Sequence, residues 1–324
     1  MIIAILVLLG GLILLIAGAE LLVRGASVIA LALGISPLVV GLTVVAFGTS
    51  APETVVSVVS AINGQSGVAI GNVVGSNIFN IFVVLGISAS ITPLVVSRQV
   101  VRLEVPVMIG VSCLMWLLSA DRLIGRNDGI LLFSGIIIYT VWVIRKSRRE
   151  SKENNLISQN GSIEKPDISI RQLIGNSIFI LGGIGFLVAG SRWFVNGAVD
   201  LASFFGISDL IIGLTIVSAG TSLPEVAASV MAAVKGERDM AVGNAVGSNL
   251  FNILAVLGVS GFLAPGGIPV PAPALSIDIP IMILVAVLCL PVFFTGHRIS
   301  RKEGVFFLCS YIFYTAWLAS SVSR

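Results

Sequence analysis

The sequence predicts an all-α integral membrane protein with ten transmembrane helices, arranged as two inverted-topology five-helix repeats. Three observations predict this fold: the composition, an internal repeat, and the distribution of basic residues. Of the 324 residues, 56% are hydrophobic and only 11% are charged, and the mean hydropathy is +1.07. Soluble domains carry about 25% charged residues, so a chain with so few charges belongs in a bilayer.

Ten apolar segments have the length of a membrane span, which needs about 20 residues. We expect helices near residues 2–22, 36–62, 67–92, 103–119, 127–144, 172–190, 207–233, 240–263, 277–295 and 304–321. The apolar start of the chain has no basic region before it, so it is predicted as an uncleaved first helix. The predicted domains are a first repeat (1–144), a polar cytoplasmic linker (145–171) and a second repeat (172–324).

The two halves match each other at a constant shift of 172 residues, without a gap from residue 17 to residue 81. The segment Gly71-Asn-Val-Val-Gly-Ser-Asn-Ile-Phe-Asn-Ile81 matches Gly243-Asn-Ala-Val-Gly-Ser-Asn-Leu-Phe-Asn-Ile253 at nine of eleven positions. Shared apolar composition does not produce such a match, so the chain is an internal duplication.

The basic residues orient the helices. If the N-terminus lies outside, fifteen of the nineteen lysines and arginines fall in cytoplasmic segments, and only Arg122, Arg126, Arg192 and Arg324 remain outside. The positive-inside rule therefore places both termini outside and the linker in the cytoplasm. Because five helices is an odd number, the second repeat enters the membrane from the opposite side. We expect the plasma (inner) membrane as the location.

A motif that ends in glutamate occurs once in each half, as Gly41-Leu-Thr-Val-Val-Ala-Phe-Gly-Thr-Ser-Ala-Pro-Glu53 and as Gly213-Leu-Thr-Ile-Val-Ser-Ala-Gly-Thr-Ser-Leu-Pro-Glu225. A carboxylate at the centre of a membrane helix costs about 2.5–3.5 kcal/mol unless it is compensated. Proline and glycine interrupt the helix, and the freed backbone carbonyls then need a partner. A bound cation supplies that partner.

Hydroxyl groups next to the glutamates complete a set of hard oxygen ligands, the kind that calcium prefers and that sodium accepts on the same argument. These hydroxyls belong to Thr49, Ser50, Thr221 and Ser222. A simpler interpretation is a capping box, in which the serine and the glutamate satisfy the start of a helix. We expect the capping box to be part of the answer, but a glutamine would cap as well, so the ionised group favours an ion ligand.

The second repeated motif, Gly-Asn-x-Val-Gly-Ser-Asn-x-Phe-Asn, ends at Asn80 and at Asn252. Ser76 and Ser248 precede these asparagines by four residues and share their helix face. We predict that all four residues line the same ion site. The asparagines three residues earlier, Asn77 and Asn249, are predicted to hold neighbouring helices together.

The paired motifs resemble the alpha repeats of the calcium/cation antiporter superfamily, and most closely the compact prokaryotic members of its sodium/calcium exchanger branch. The resemblance covers nearly the whole chain. It implies alternating access at one site near the membrane centre, with Glu53 and Glu225 as the shared acidic ligands. The implied neutral ligands are the side chains of Thr49, Ser50, Thr221, Ser222, Asn80, Asn252, Ser76 and Ser248, and the backbone carbonyls of Ala46 and Ser218. Asn252 departs from members that carry aspartate there, which argues against potassium co-transport.

The sequence thus predicts a secondary antiporter that exchanges sodium for calcium, with these two ions and the lipid bilayer as partners. A proton/calcium antiporter, in which one glutamate titrates, stays open, as does another divalent substrate such as manganese. A calcium channel fits two symmetric halves around one site less well. The sequence has no nucleophile–base pair and no nucleotide motif, so we expect no enzyme activity, no cofactor, no ATP and no nucleic-acid partner.

Overall fold

The structure is a computed structural model, and it describes residues 1–157, 169–205, 218–294 and 296–322. This part of the chain is helical apart from short loops and four strands of two residues each. The first half contains α1 (Ile2–Leu33), α2 (Pro37–Thr49), α3 (Ala51–Ile62), α4 (Ser66–Ile91), β1 (Leu94–Val95), α5 (Val100–Leu118), β2 (Leu123–Ile124) and α6 (Arg126–Ile157).

The second half contains α7 (Ile170–Phe204), the turn α8 (Ser218–Gly220), α9 (Leu223–Val234), α10 (Arg238–Leu263), β3 (Ile268–Pro269), α11 (Ala274–Phe294), β4 (Arg298–Ile299) and α12 (Arg301–Val322). Within the described residues, seven helices are long and apolar enough to cross a membrane singly. The bent pair α2–α3 adds an eighth span if it counts as one. The chain is an all-α membrane protein.

The core of the molecule is formed by α4 and α10, which are the most buried of the membrane-length helices. The most exposed ones are α7, α1 and α6, whose apolar side chains face outward, as expected for helices that face lipid. The broken helix α2–α3 and its counterpart α8–α9 pack against the two central helices. This arrangement brings the repeated polar motifs together in the most buried part of the structure.

The helices α1 and α7 pack against each other along most of their length through glycines spaced seven residues apart. A Cβ atom added at Gly18 would lie 2.8 Å from the carbonyl oxygen of Gly183. One added at Gly190 would lie 2.7 Å from the backbone nitrogen of Leu15. The two backbones therefore touch directly, which is how small residues let membrane helices approach closely.

Several helices are longer than the sequence predicted. We expected α1 over 2–22, but it continues to Leu33 and ends where Gly34 adopts a left-handed conformation with φ 63°. Its polar residues do not end it because they have partners: Glu20 pairs with Lys235, and the Arg24 guanidinium lies 5.8 Å from the centre of the Phe179 ring.

The helices α6 and α7 also extend beyond the expected ranges 127–144 and 172–190. The first part of the predicted linker is helical as far as Ile157, with ion pairs between Lys146 and Glu150 and between Arg149 and Glu153 one turn apart. The rest of the predicted linker, residues 158–168, lies outside the described residues, as does the start of the predicted helix 207–233.

Two small antiparallel sheets join the halves. β1 pairs with β4, so that Leu94 lies opposite Ile299, and β2 pairs with β3, so that Leu123 lies opposite Pro269. Each sheet connects a loop of the first half to a loop of the second half. At both ends of the helix bundle, a loop of the first half is therefore hydrogen-bonded to a loop of the second half.

Candidate functional site

The two glutamates lie in the first turn of a helix that follows a break. α2 ends at Thr49, and α3 begins at Ala51 with the axis bent by 49°. Pro52 stands in the first turn of α3, and Glu53 follows it. In the second half, Glu225 has the same place in α9, after the short turn α8. The positive end of the helix dipole favours an anion at both positions.

The serines of the two motifs bond across the duplication. The Ser50 hydroxyl donates to Glu225 Oε1 at 3.0 Å, and the Ser222 hydroxyl donates to Glu53 Oε1 at 2.9 Å. Neither serine caps its own helix with its side chain. The expectation of a serine–glutamate capping box is therefore wrong, because each hydroxyl is used by the carboxylate of the other half.

Four buried oxygen atoms around this point have no hydrogen-bond partner among the residues that the structure describes. They are the second carboxylate oxygens of the glutamates and the amide oxygens of two asparagines: Glu53 Oε2, Glu225 Oε2, Asn80 Oδ1 and Asn252 Oδ1. All four side chains have no solvent exposure. An ionised carboxylate and an amide carbonyl can only accept, so these atoms require hydrogen donors or a cation. Leaving a buried acceptor without a partner costs about 1–3 kcal/mol.

The amide groups of Asn80 and Asn252 are held by the asparagines of the opposite half. Asn80 Nδ2 donates to Asn249 Oδ1 at 3.1 Å, and Asn252 Nδ2 donates to Asn77 Oδ1 at 3.0 Å. Asn77 and Asn249 thus fix neighbouring helices, as the sequence suggested. These bonds use the Nδ2 groups of Asn80 and Asn252 and hold the two amides in place. The Oδ1 atoms of the same amides have no partner among the described residues.

The helices widen into π-helical turns directly after these amides, over Asn80–Leu85 in α4 and Asn252–Leu257 in α10. π-helical turns are rare in proteins overall, and those that do occur are often found at functional sites.

The other predicted hydroxyl ligands surround the same centre. Thr49 Oγ1 donates to Asn244 Oδ1 at 3.2 Å, and Thr221 Oγ1 lies 3.4 Å from Asn72 Oδ1. The Ser222 hydroxyl also lies 3.2 Å from the hydroxyl of Ser76. These threonines and serines are within reach of the glutamates through one shared hydrogen-bond network.

Three predicted ligands have different surroundings. The Ser248 hydroxyl is buried without a hydrogen-bond partner. The Ala46 carbonyl accepts the backbone N–H of Ser50 at 3.0 Å, and the Thr49 hydroxyl, whose one proton is donated to Asn244, lies 3.4 Å from it. Ser218 begins the turn α8, and the residues before it, which include the start of the second glutamate motif, lie outside the described part of the chain.

The sequence prediction missed four residues that support the glutamates. Asn72 Nδ2 donates to the Glu53 carbonyl at 3.2 Å and to Ser57 Oγ at 2.8 Å. In the second half, Asn244 Nδ2 makes the equivalent bonds to the Glu225 carbonyl at 3.3 Å and to Ser229 Oγ at 2.9 Å. The available signal was the repeat itself, since Asn72 and Asn244 are identical residues at the shift of 172.

No lysine or arginine in the described part of the chain compensates the charge at the centre. None of the ion pairs among the described residues involves Glu53 or Glu225. Two carboxylates, two amide oxygens and several hydroxyls therefore face one buried point without a lysine or an arginine. In chemical terms this is a hard-oxygen cage with up to two negative charges, and it is suited to one divalent cation or to two monovalent cations.

Comparison with known proteins agrees with this chemistry. The profile of the sodium/calcium exchanger protein family matches residues 3–145 and 163–319. The chain is 40% identical over 279 residues to CaxA of Alkalimonas amylolytica, covering 86% of each protein. It is 31% identical over 305 residues to the sodium/calcium exchanger MaX1 of Methanosarcina acetivorans, covering 85% of this chain and 86% of that one.

Solved structures extend the likeness to the fold. A structure of the sodium-calcium exchanger NCX_Mj, soaked with zero Na⁺ and Ca²⁺, matches with a TM-score of 0.81 and 30% identity. The match covers 98% of this chain and 99% of that one. The family profile, the relatives and the shared fold agree that this is a membrane transporter for calcium and other cations. The chain belongs to the sodium/calcium exchanger family.

Proposed function

We propose that the chain is a secondary active antiporter that exchanges sodium for calcium by alternating access at the site around Glu53 and Glu225. Calcium and sodium are the substrates, and they compete for the same oxygens. The proposed ligands are the side chains predicted from the sequence and the backbone carbonyls of Ala46 and Ser218, of which the Ala46 carbonyl now accepts the backbone N–H of Ser50.

The observation that carries the proposal is the set of four partnerless acceptor oxygens on Glu53, Glu225, Asn80 and Asn252. Structural polar networks in membrane helices are satisfied internally, because unpaired groups are costly there. Each of these side chains is held in place by a hydrogen bond at one atom and has an acceptor oxygen without a partner. Such oxygens are suited to a cation that binds and dissociates reversibly.

The charge supports competition between the ions. Two carboxylates balance one Ca²⁺ or two Na⁺, so a site loaded with calcium has no net negative charge left to attract sodium, and the reverse. An antiporter needs this exclusion, because both ions bound together would abolish the exchange. If the bound ions carry more positive charge than the two carboxylates balance, the excess charge is moved through the membrane potential during transport.

The proposed architecture is ten transmembrane helices in two inverted five-helix repeats, 1–144 and 172–324, around the linker 145–171. The reciprocal hydrogen bonds support it, because the serine–glutamate, threonine–asparagine and asparagine–asparagine bonds between the halves each occur in both directions. Such reciprocity is expected when a two-fold axis relates the partners. We place the protein in the plasma (inner) membrane with both termini outside and the linker in the cytoplasm, as the basic residues indicate.

The test is calcium uptake into proteoliposomes that contain the purified protein. Vesicles loaded with sodium are compared with vesicles loaded with choline, each with and without an imposed pH gradient. We expect uptake that requires internal sodium and is abolished by Glu53→Gln or Glu225→Gln, because each change removes a charged ligand and leaves the shape unchanged. Uptake that follows the pH gradient and ignores sodium would instead identify a proton/calcium antiporter.

A matched control is Glu104→Gln, the same substitution at another buried glutamate of a membrane helix. Glu104 Oε2 already accepts a bond of 2.6 Å from Tyr139, and Oε1 accepts one of 2.8 Å from Gln99. With both of its oxygens in use, it has none to offer an ion, so this variant should retain exchange. Loss of uptake in this control to the same degree as in Glu53→Gln, or uptake without any counter-ion gradient, would contradict the proposal.

A further inference from the structure

A cavity of about 170 Å³ opens beside the candidate ion site, between α3, α7 and the turn that follows α8. It is lined by four valines of α3 and α7 together with Pro52, Ser191, Arg192, Asn196, Gly220 and Thr221. Thr221 is one of the candidate ligands, and Pro52 directly precedes Glu53. The cavity has room for several water molecules, and it reaches from the surface of α7 to the edge of the site.

The inner wall of this cavity is fixed. Ser191 is almost completely buried, and its hydroxyl donates to the carbonyl oxygen of Gly220 at 2.5 Å, one residue before Thr221. The Thr221 side chain lies 3.4 Å from Asn72 Oδ1, which in turn belongs to the network that holds Glu53. A charge in the cavity therefore lies beside the hydrogen-bond network of the site, and it acts on a bound cation through electrostatics.

The outer part of the cavity carries a positive charge. Arg192 is exposed and has no ion pair among the residues that the structure describes. At the equivalent position of the first half, 172 residues earlier, stands Glu20, and that carboxylate is neutralised by Lys235. Within the described part of the chain, the duplication thus has a positive charge without an ion pair on one face and a paired negative charge at the matching position.

We propose that Arg192 is an electrostatic filter at a cation entrance on the predicted outer face, one that weakens calcium binding from that face more than sodium binding. The inference rests on the proposed function. The energy of a cation near a fixed charge is proportional to the charge of the cation. The factor by which Arg192 weakens calcium binding is therefore the square of the factor for sodium.

The direction of this effect suits an exporter of calcium. Calcium that leaves the site through the cavity is repelled and rebinds less, whereas sodium that enters is repelled only half as strongly. A unit charge roughly 10 Å from the ion, in a medium like water at low ionic strength, changes affinity about twofold for sodium and about fourfold for calcium.

The test uses right-side-out membrane vesicles at low ionic strength, with external calcium or sodium varied and half-saturating concentrations measured. For Arg192→Gln we expect the half-saturating concentration to fall about fourfold for calcium and about twofold for sodium. Arg192→Lys should behave as wild type. Added choline chloride should shrink the difference, because salt screens an exposed charge.

Arg126→Gln is the matched control, since it removes an exposed arginine that is also predicted outside but lies over the ring of Phe262, away from this cavity. It should leave both half-saturating concentrations unchanged. Equal shifts for the two ions, the same shift in Arg126→Gln, or a shift only from the inner face would overturn the role of Arg192.

A second measurement separates this inference from the proposed function. Calcium-dependent thermal stabilisation of the purified protein reports calcium binding without any coupling ion, and Arg192→Gln should lower its calcium midpoint about fourfold at low ionic strength. If transport proves to be independent of sodium, the proposed function fails while this midpoint still tests the filter. If the midpoint is unchanged while wild-type exchange depends on sodium, only the filter fails.

Discussion

Replacing Glu53 by glutamine should change the stability of the protein in opposite directions with and without calcium. The carboxylate has one oxygen bonded to Ser222 and one bare oxygen, in a fully buried position. In a chelator, the glutamine removes one of two uncompensated negative charges. An unsatisfied buried acceptor lowers the free energy of unfolding by about 1–3 kcal/mol. The variant, which removes one such acceptor charge, should therefore be more stable than wild type.

Calcium should reverse this order. A ligand at 100 times its dissociation constant stabilises the folded state by about 2.7 kcal/mol, and the variant should lose most of that gain. Unfolding temperatures of chains approaching this size move by roughly 2 °C per kcal/mol. We therefore expect calcium to raise the unfolding temperature of wild type by about 5 °C. In chelator, Glu53→Gln should unfold about 2–6 °C above wild type.

The assay is thermal unfolding of the detergent-solubilised protein, followed by tryptophan fluorescence at matched heating rates in chelator and in calcium. Glu225→Gln should repeat the result, because its surroundings are the same after exchange of the two halves. Glu104→Gln should keep the full calcium response. A Glu53→Gln protein that is stabilised by calcium as strongly as wild type would refute the assignment of Glu53 as a ligand.

Three further variants test the packing and the network. Gly190→Leu should abolish folding or transport, because its Cβ would lie 2.7 Å from a backbone nitrogen of α1, whereas Gly185→Leu on the same helix has open space and should be tolerated in expression and uptake assays. Tyr139→Phe should destabilise the protein by about 1–3 kcal/mol, because the buried carboxylate of Glu104 loses a donor, and the calcium midpoint should stay unchanged. Asn244→Ala should both lower stability and weaken calcium binding, measured by the same thermal assay, because its amide supports a ligand glutamate directly.

Much of the candidate site could be predicted from the sequence because its signals are local and occur twice. Glycine, proline and glutamate in one apolar segment predict a broken helix with a buried charge, and the break at Ser50 is present. The constant shift of 172 residues singles out Asn80 and Asn252 as a pair. The glutamates and asparagines have polar or charged side chains, which are costly inside a membrane and are therefore expected there only where they have a function.

The partners of these residues could not be predicted in the same way. Capping is a local pattern, and it suggested that Ser50 serves its own helix, but the tertiary structure offers the hydroxyl a buried carboxylate from the other half. The supporting role of Asn72 depends on which helix lies beside it, and one sequence does not contain that information. Helix ends were missed because hydropathy falls at Glu20, while an ion pair with Lys235 lets the helix continue.

The crossed hydrogen bonds have a consequence for how the protein is made. When the first half has left the ribosome, Glu53 lacks the hydroxyl of Ser222, which is still to be synthesised. Asn80 in turn lacks its acceptor, because Asn249 follows 169 residues later. The first five helices are therefore inserted in the bilayer before the polar groups at their centre have their hydrogen-bond partners from the second half. If the halves were produced as two separate chains, neither should stay folded alone, and together they should assemble into a working transporter.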